Sequence, residues 1–541
     1  MIKALALIGG KWHDFETCCG MVRDLLASAG KAKLDLTDDK KVLASPKLKA
    51  YDLVVIYAQG GKLTQREEKG ICDFVAGGKA LLGIHSASAA FKDNKRYIEM
   101  LGSTFAGHGP VLEFGVTVCD GDHSITRRVD DFRVTDELYV SEYSPEGLDI
   151  LMTADWQGTR QPMLYTKPYG KGRVVYFALG HDERAVGHPT FRKVVLRAVD
   201  WAMGKEETGT IGCGVIGYGP AFNMGKHHGN FIVGTPGLEL RAICDLDPAR
   251  TEAAKEDFPG VRTYNDIGEA VADDEVDVLT VVTPHNTHYA LAMQCLKAGK
   301  GVILEKPFCI TAKEATDMLK ASEKSGALLT VYHNRRLDGD FLAMKWVIDQ
   351  GLIGDVFHVE AYSGGYREPK PWWRSDKRIS GGAMYDWGAH FIDWILNLMP
   401  GPIQNVTGFF HKRVWHAVTN EDHCQAIIRF KDGRFAEYQT SSIARVGKAR
   451  WRILGTKGGI GPGEDCVHVT TELNGVETSF PVKHIASNRA AYYHNIADHL
   501  LRGESLMVTP KSARRVIAVI EAAEKSAKSG RPEKIPHEQG T

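Results

Sequence analysis

The chain has 541 residues, too many for one hydrophobic core, and its length predicts two or three domains. Lysine plus arginine and aspartate plus glutamate balance at 67 each, which excludes a global field attracting nucleic acid or an anionic membrane. With 43% hydrophobic and 25% charged residues the composition is that of a globular protein, whose expected partners are small molecules or other subunits.

Cysteine usage and the N-terminus bear on the compartment. The ten cysteines are scattered without a CxxC pair, which favours reduced thiols over disulfides. The opening MIKALALIGG has about five consecutive apolar residues, fewer than the roughly seven to fifteen of a signal peptide, and predicts a β-strand. No apolar run approaches the roughly 20 residues of a spanning helix. We therefore expect a cytoplasmic protein that does not enter a membrane.

Residues 1–204 alternate short apolar strands with amphipathic helices. Strands are predicted at 2–8, 53–57, 79–84 and 172–179, and helices at 14–29, 64–76 and 189–203. Thr64 and Glu67 form a capping-box pattern at the start of one helix. The alternation predicts a doubly wound α/β domain, with helices on both faces of a parallel sheet.

The remainder of the chain divides into three segments. Residues 205–210 are polar and rich in glycine and threonine, as in a short linker. Residues 211–332 repeat the strand-helix alternation and predict a second doubly wound parallel sheet. In residues 333–541, helices followed by alternating strands predict an α+β domain with a largely antiparallel open sheet. Because such a sheet commonly buries its free face in self-association, we expect a homo-oligomer.

A glycine-rich turn follows the first strand of the second domain, in GCGVIGYGPAFNMG at 212–225. Gly217 and Gly219 supply the tight turn and the close approach that a dinucleotide pyrophosphate needs at a helix N-terminus. Phe222 stands where the fingerprint has its third glycine, so Asn223 or Gly225 must reshape the loop. Alone, this pattern is equally compatible with an ordinary glycine-rich turn.

An acidic residue after the next strand supports the nucleotide interpretation. Asp245 follows LELRAIC, where a carboxylate accepts hydrogen bonds from the adenosine ribose. A carboxylate there repels a 2′-phosphate and favours NAD over NADP. NADP remains an alternative because Arg250 could bind a 2′-phosphate. If Asp245 is only a helix cap, either cofactor is compatible with it.

Two further motifs end neighbouring strands of this sheet. TPHNTH spans 283–288, and Glu305-Lys306-Pro307 follows the strand at 301–304. Ligands of doubly wound sheets sit at the carboxyl ends of the strands. Lys306 is thus aimed outward at that edge, although a lone lysine there is usually only solvated.

The order of these motifs, continued by HNRR at 333–336 and GGAMYDWGAHFIDW at 381–394, resembles the Gfo/Idh/MocA oxidoreductases over about 209–541. The resemblance implies a Rossmann domain and a catalytic set of Lys306, Asp386 and His390. Its motifs also contribute the other expected cofactor contacts, which are Thr283, His285, His288, Glu305, Lys306 and Asn334. His285 departs from the family pattern, which has asparagine in this place, as Phe222 departs from the third glycine.

The spacing of Asp386 and His390 fits that role, since positions i and i+4 share one helix face. An isolated pair of this kind is as easily structural. In our hypothesis His390 takes the proton from a sugar hydroxyl, Lys306 stabilises the developing alkoxide, and Asp386 fixes the sugar or orients the base. Trp373 and Arg374 are candidates for an aromatic wall and a hydroxyl clamp.

Histidines mark the N-terminal domain. His85 follows a buried strand at a sharp turn, where amidotransferases and hydrolases carry a cysteine or serine nucleophile. The words GIHSA, GHGP (107–110), DELY (136–139) and GKGRVVYFALGHD (170–182) resemble the ThuA family, which implies a flavodoxin-like or amidotransferase-like fold for 1–203.

Four histidines of this domain fall at strand ends or in loops, and we expect them on one rim: His13, His85, His108 and His181. They suit acid-base work on a keto-sugar or a divalent metal ion. Because HxxxH-type spacing is missing, metal binding is the less favoured interpretation and we assign no metal ligands. Unrelated loop histidines remain a third possibility, and Glu142 is a candidate carboxylate partner.

Together these features predict an NAD-dependent oxidoreductase acting on a hydroxyl or keto group of a sugar or glycoside. The N-terminal domain would bind or process the keto-sugar. One alternative is an NAD-dependent glycoside-cleaving enzyme that uses transient oxidation and elimination. Another is a non-catalytic nucleotide or sugar sensor or scaffold.

Overall fold

The computed structural model of the protein describes residues 1–205 and 209–535. Contacts divide the chain into two units, one of Met1–Gly209 with Asp498–Glu504 and one of Thr210–Ala497 with Ser505–Thr541. The expected linker, 205–210, includes residues 206–208, which lie outside the described residues. Within the described ranges, no helix is long and apolar enough to cross a bilayer.

The first unit is built on a nine-stranded sheet in the order β2-β1-β3-β4-β9-β8-β7-β5-β6. Its strands are β1 (Ile2–Gly9), β2 (Ala32–Thr37), β3 (Leu53–Ala58), β4 (Ala80–Ile84), β5 (Ser103–Val118), β6 (Phe132–Tyr143), β7 (Asp149–Trp156), β8 (Thr159–Tyr169) and β9 (Gly172–Phe177). Its helices are α1 (Phe15–Ser28), α2 (Gln65–Ala76), α3 (Lys95–Leu101), α4 (Glu183–Gly187) and α5 (Pro189–Ala202).

Five strands of this sheet, β2-β1-β3-β4-β9, are parallel; four of them were predicted from the strand-helix alternation, and β2 was not. Strands β5 to β8 extend it in antiparallel fashion and were not predicted. Strands β3 and β4 are buried along their whole length, so their sequences read as continuous apolar runs. Strand β5 alternates between buried and exposed positions and contains glycines and polar residues, which conceals it.

The second unit begins with a six-stranded parallel sheet in the order β12-β11-β10-β13-β14-β15. Its strands are β10 (Ile211–Ile216), β11 (Leu238–Cys244), β12 (Arg262–Tyr264), β13 (Val278–Val281), β14 (Gly301–Leu304) and β15 (Leu329–Val331). Its helices are α6 (Met224–Val233), α7 (Pro248–Asp257), α8 (Ile267–Ala272), α9 (His288–Lys297) and α10 (Ala312–Ser325). The strand order reverses between β10 and β13, which is where doubly wound sheets bind ligands.

An eight-stranded sheet follows in the order β17-β18-β19-β16-β20-β21-β22-β23, antiparallel except for the β16–β19 pair. Its elements are α11 (Gly339–Asp349), β16 (Val356–Gly364), α12 (Lys377–Ser380), α13 (Ala383–Leu398), β17 (Ile403–His411), β18 (His423–Phe430), β19 (Phe435–Ser441), β20 (Trp451–Gly455), β21 (Gly458–Pro462), β22 (Cys466–Leu473), β23 (Val476–Lys483), α14 (Ala490–Arg502) and α15 (Pro510–Ser529). Helices α13 and α15 pack against one face of this sheet. The mixed α/β architecture agrees with the fold class expected from the sequence.

A buried ion pair stabilises the first unit. The guanidinium of Arg197, in α5, donates to Glu504 Oε1 at 2.7 Å and to Asp498 Oδ2 at 3.2 Å. All three side chains are almost completely buried. Removal of one partner would leave uncompensated charge in the interior, which is costly.

We predict that Arg197→Met lowers the free energy of unfolding of this unit by about 1.5–3 kcal/mol, the usual contribution of hydrogen bonds to charged groups, since Asp498 still contacts Arg502 and Glu504 still contacts Lys193. Calorimetric unfolding measures the effect. Arg184→Met is the control, since Arg184 forms an exposed pair with Asp182 and its loss should change stability by less than about 0.5 kcal/mol. An Arg197→Met protein as stable as this control would contradict the prediction.

Candidate functional site

The glycine loop, residues 217–225, joins β10 to α6. Gly217 has φ +100°, and a Cβ there would lie 2.3 Å from the carbonyl oxygen of Val282. Gly219 has no atom within 4 Å of its Cβ position, so its free side is open. At Gly225 a Cβ would lie 2.5 Å from the carbonyl oxygen of Gly217. Gly225 therefore permits the close helix-strand approach that the missing third glycine normally allows.

Phe222 and Asn223 form the outer part of the loop. Asn223 has φ +50° and makes no side-chain cap, so its side chain does not occupy the first amides of α6. Phe222 is 49% exposed. Its ring lies 5.6 Å from that of Trp372 and 4.6 Å from the guanidinium of Arg374. The residue that replaces the third glycine thus packs on the segment expected to contact substrate.

Asp245 stands directly after β11, beside the loop. Its carboxylate accepts hydrogen bonds from the backbone amides of Tyr218 at 2.6 Å and Asp247 at 3.0 Å. Arg250, the residue that kept a 2′-phosphate open, lies 3.6 Å from the Asp247 carboxylate. The carboxylate of Asp245 therefore places a negative charge beside the loop. The guanidinium of Arg250 faces the carboxylate of Asp247.

The segment after β13 forms the other side of this crevice. The Thr283 hydroxyl hydrogen-bonds the Thr287 hydroxyl at 2.6 Å. His285 Nδ1 donates to the Ser380 carbonyl at 2.8 Å, and its buried Nε2 has no partner among the described residues. Burial and the neighbouring His288 lower the pKa of His285 to about 3. A neutral ring nitrogen thus stands unpaired in the crevice.

His288 differs from His285. It is completely buried, and its two nitrogens face the carbonyl oxygens of Pro307 at 2.8 Å and Thr283 at 2.9 Å. Both nitrogens are therefore occupied by the protein. The sequence had led us to expect a cofactor contact at His288. We infer instead that His288 positions the segment around Lys306.

Glu305 is also held by the protein. It accepts from the Lys306 amide at 3.0 Å and lies 3.1 Å from His228 Nε2. His228 Nδ1 in turn pairs with the Tyr493 hydroxyl at 2.6 Å. His228, in α6, was not singled out in the sequence because only the tertiary contact reveals its role.

Lys306 and Asp386 are in direct contact. Lys306 Nζ donates to Asp386 Oδ1 at 2.6 Å, and Arg374 Nη1 donates to the same oxygen at 3.0 Å. Burial raises the pKa of Asp386, but the ammonium of Lys306 and the guanidinium of Arg374 hold it well below the usual range. Asp386 is therefore a carboxylate that fixes two cations.

His390 lies one helical turn from Asp386 in α13. Its ring is buried and Nδ1 has no hydrogen-bond partner in the described part of the chain. Burial, followed by the charge of Lys306, lowers the pKa of His390 well below its ordinary value. The imidazole is thus neutral and able to accept a proton.

His333 is a second neutral imidazole in this cleft, and its role was not predicted. It follows β15 at the carboxyl edge of the sheet, and its ring centroid lies 6.3 Å from that of His390. Burial lowers its pKa to about 4, and neither ring nitrogen has a partner among the described residues. The one sequence feature that could have indicated this role is the position of His333 directly after a strand, in the motif HNRR. Asn334 begins the short 3₁₀-helix that follows.

Trp373 and Arg374 lie beside these groups. The Trp373 ring is 5.0 Å from that of His285. Arg374 is engaged by Asp386 and by three aromatic rings, so most of its guanidinium is committed to the protein. Its buried Nε has no partner among the described residues and is the donor left for a ligand.

The N-terminal unit gathers three of its four expected histidines. His13, His85 and His181 follow the parallel strands β1, β4 and β9, so they meet at one edge of the sheet. Their ring centroids are 4.8–5.7 Å apart. Burial and the two neighbouring imidazoles lower the pKa of His13 to about 3.

The carboxylate of this cluster is Glu137, in β6, and not Glu142. Glu137 Oε2 lies 3.0 Å from His181 Nδ1 and 3.7 Å from His85 Nε2. Burial raises the pKa of Glu137, but its interactions with His181 and His85 lower it well below its usual range. His108 stands outside the cluster, with Nδ1 3.2 Å from Glu137 Oε1. The motif DELY contains this glutamate. Because β6 was not predicted, the sequence did not show which of its residues face the cluster.

Three family models match the chain. Residues 4–202 match ThuA, described as trehalose utilisation. Residues 211–333 match an oxidoreductase family with an NAD-binding Rossmann fold, and residues 341–461 match the GFO/IDH/MocA C-terminal domain. The chain is a Gfo/Idh/MocA oxidoreductase with an N-terminal ThuA domain. This confirms the family expected from the order of the motifs.

Relatives of known name align with the Gfo/Idh/MocA part. The chain is 29% identical to scyllo-inositol 2-dehydrogenase (NADP(+)) IolW of Bacillus subtilis, covering 62% of this chain and 98% of that protein. It is 29% identical to myo-inositol 2-dehydrogenase of Thermotoga maritima, covering 46% and 73%. Among solved structures, an NAD-binding protein from Listeria innocua matches with a TM-score of 0.54 and 25% identity, covering 61% and 98%.

The glycine loop of the Gfo/Idh/MocA domain gives a paired prediction. Gly219→Ala places a Cβ in open space, so the melting temperature should stay unchanged while NAD binding weakens about tenfold or more, equivalent to ~1.4 kcal/mol. Gly225→Ala forces a Cβ against the backbone of Gly217 and should lower stability by about 1–3 kcal/mol.

Thermal unfolding and calorimetric NAD titration of both variants separate the two effects. If Gly225→Ala is as stable as the wild type, the close approach described for Gly225 is wrong. If Gly219→Ala binds NAD normally, its open side does not face the cofactor.

Proposed function

We propose that residues 211–535 form an NAD-dependent dehydrogenase that oxidises a hydroxyl of a sugar or glycoside, or reduces the corresponding ketone. The observation that carries this proposal is the arrangement of Lys306, Asp386 and the neutral His390 at the carboxyl edge of the parallel sheet. It combines a fixed cation with an unprotonated base beside the glycine loop.

The chemistry follows from the protonation states. Bound NAD supplies the hydride acceptor, and NADH the donor for the reverse reaction. His390 receives the proton of the substrate hydroxyl on its free ring nitrogen, which its lowered pKa keeps unprotonated at neutral pH. Lys306 donates a hydrogen bond to the same substrate oxygen and stabilises its negative charge as the proton leaves. Asp386 orients Lys306, since their atoms are 2.6 Å apart.

A polyol substrate is favoured by the relatives and by the groups around the cleft. The two named relatives act on inositols, which are cyclic polyols. Trp373 offers an aromatic face, and the Arg374 Nε is a buried donor without a partner among the described residues. Flat apolar surface beside a few fixed donors is the usual character of small-ligand sites.

For the cofactor we propose NAD over NADP. The Bacillus relative is named for NADP(+), so the family accommodates both. Here Asp245 places a carboxylate at the end of β11, and the nearest candidate for a phosphate ligand, Arg250, already faces Asp247. A 2′-phosphate would meet net repulsion.

We further propose that the ThuA domain binds or processes the keto-sugar. Its clustered imidazoles and Glu137 place several polar groups on one rim, where a ligand with many oxygen atoms can be held. The acyl-transfer chemistry of the amidotransferase relatives is disfavoured, since His85 stands at the nucleophile position.

A second candidate function is glycoside cleavage, in which oxidation acidifies the adjacent C–H, elimination breaks the glycosidic bond, and the hydride returns. The contact of Phe222 with Trp372 and Arg374 favours it, because an aromatic-guanidinium stack over the glycine loop would slow cofactor release. A non-catalytic sensor is disfavoured by the retention of Lys306, Asp386 and His390 together.

We predict that Lys306→Met reduces kcat for a polyol or sugar substrate by about 10²–10³, the cost of removing one charge-stabilising donor. The Kd for NAD should remain unchanged. NADH absorbance across a panel of inositols, sugars and glycosides measures turnover, and calorimetry measures the Kd. The control is Lys297→Met, at an exposed position near the end of α9.

Turnover of Lys306→Met equal to that of Lys297→Met would contradict the catalytic assignment. Product analysis on the same panel separates the two candidate reactions. Net NADH formation supports the dehydrogenase, whereas aglycone release without net NADH supports glycoside cleavage.

We also propose that the protein self-associates through the eight-stranded sheet. Helices α13 and α15 cover one face. The other presents Phe409 and Phe435, 46% and 40% exposed, with Ile427 between them in the strand register. Exposed aromatic residues on a sheet face are typical of protein interfaces.

In sedimentation velocity, the wild type should run as a dimer or larger. The double variant Phe409→Glu/Phe435→Glu should run near the monomer mass of 59.6 kDa. Val446→Glu, in an exposed loop, is the control and should not change the assembly. A monomeric wild type would contradict the proposal.

For the compartment, we propose the cytoplasm. All ten cysteines are free in the structure, and eight of them are buried. Free thiols in this number suit a reducing environment.

A further inference from the structure

The histidine cluster of the ThuA domain contains ring nitrogens that lie close together and make no hydrogen bond. His85 Nε2 and both nitrogens of His13 are buried and have no hydrogen-bond partner among the described residues, and the buried His181 Nδ1 lies 3.0 Å from Glu137 Oε2. Buried polar atoms of native proteins are normally paired. Three unpaired nitrogens beside a carboxylate therefore indicate that the site is shaped for a ligand that accepts several lone pairs.

The tautomer of His85 is fixed by the backbone. His85 is completely buried, and its Nδ1 lies 2.7 Å from the Ala178 carbonyl oxygen, to which it must donate. The proton is thus on Nδ1, and the lone pair is on Nε2, facing Glu137. Metal-binding histidines commonly donate their other N–H to a carbonyl in this way.

The positions of Glu137 and His181 are fixed by a neighbouring carboxylate. Asp136 is completely buried and accepts from the backbone amides of Gly180 at 2.7 Å, His181 at 3.0 Å and Glu137 at 2.8 Å. These bonds join β6 to the loop after β9. The donors from two separate segments are consequently held at a set distance before any ligand binds.

We propose that His13, His85, His181 and Glu137 bind one divalent transition-metal ion, of the kind represented by Zn²⁺. One ligand atom from each residue lies within 4.8 Å of all the others. Atoms bound about 2.1 Å from a common ion are separated by roughly 3–4 Å, so small side-chain rotations close the set around the metal.

The donor types select the class of ion. Three imidazole nitrogens and one carboxylate oxygen suit zinc, copper, iron or nickel, whereas magnesium and calcium prefer oxygen ligands throughout. Glu137 adds a carboxylate oxygen to the three imidazoles, a donor that suits a divalent cation. His108 is not part of the ligand set: its Nδ1 bonds the Gly109 carbonyl at 2.7 Å and lies 3.2 Å from the other carboxylate oxygen of Glu137.

The experiment uses the full chain, stripped with EDTA and dialysed. Elemental analysis after exposure to Zn²⁺ and gel filtration should give one equivalent per chain, and calorimetric unfolding should show a higher melting temperature with Zn²⁺. Cobalt substitution provides a second readout, because Co²⁺ held by imidazoles in a site of low symmetry has visible d–d absorption.

The variants are His85→Ala and Glu137→Gln, with His188→Asn and Glu142→Gln as matched controls. His188 caps α5 through its side chain, a role that asparagine retains. The two cluster variants should bind Zn²⁺ at least about 100-fold more weakly, since even outer partners of metal ligands contribute about 10–100-fold. The controls should bind as the wild type does.

Three results would overturn the proposal. One is a wild-type chain that retains no equivalent of Zn²⁺ or Co²⁺ and shows no thermal shift. Another is retention of the metal by both cluster variants. The third is loss of metal in the controls to the same extent. Circular dichroism and the NAD affinity of each variant show whether it is folded, so loss of metal is distinguishable from unfolding.

Discussion

The carboxylate of Asp386 is the interaction on which the arrangement of the Gfo/Idh/MocA site depends. It accepts from Lys306, at the edge of the parallel sheet, and from Arg374, in the loop before α12. Through Arg374 it is also connected to Phe222 of the glycine loop. One carboxylate therefore connects three segments distant in the sequence, and loss of its charge would leave two cations facing each other.

Both clusters use histidines that burial keeps neutral. His390 and His333 lie near a cation in the dehydrogenase cleft, and His13 lies among other imidazoles in the ThuA domain. In each case the protein makes protonation costly and so preserves a lone pair. A buried, neutral imidazole thus accepts a proton in the proposed dehydrogenase reaction and binds a metal ion in the proposed site of the ThuA domain.

Much of the fold and part of the site follow from the sequence. Fully buried parallel strands such as β3 and β14 are continuous apolar runs, and capping residues such as Thr64 mark helix starts, so these elements were predicted within a residue or two. The antiparallel strands β5 to β8 were not; β5 and β6 are half-exposed and carry polar residues, and β5 also contains glycines, whereas β7 and β8 have buried centres that the sequence did not reveal. For the same reason Glu137 was missed in favour of Glu142. The choice of Gly225 over Asn223, and the role of His333, required the tertiary structure, since only spatial neighbours show what a side chain there would contact.

The backbone at His85 has φ +43°, a left-handed conformation uncommon for residues other than glycine, although histidine, asparagine and aspartate adopt it more often than the rest. It occurs at the turn where related folds carry a nucleophile. The strained geometry that presents a side chain at this edge is thus a property of the scaffold, independent of the chemical group mounted on it. The turn therefore sets where the side chain of residue 85 points, and the identity of that side chain sets the chemistry at this edge of the domain.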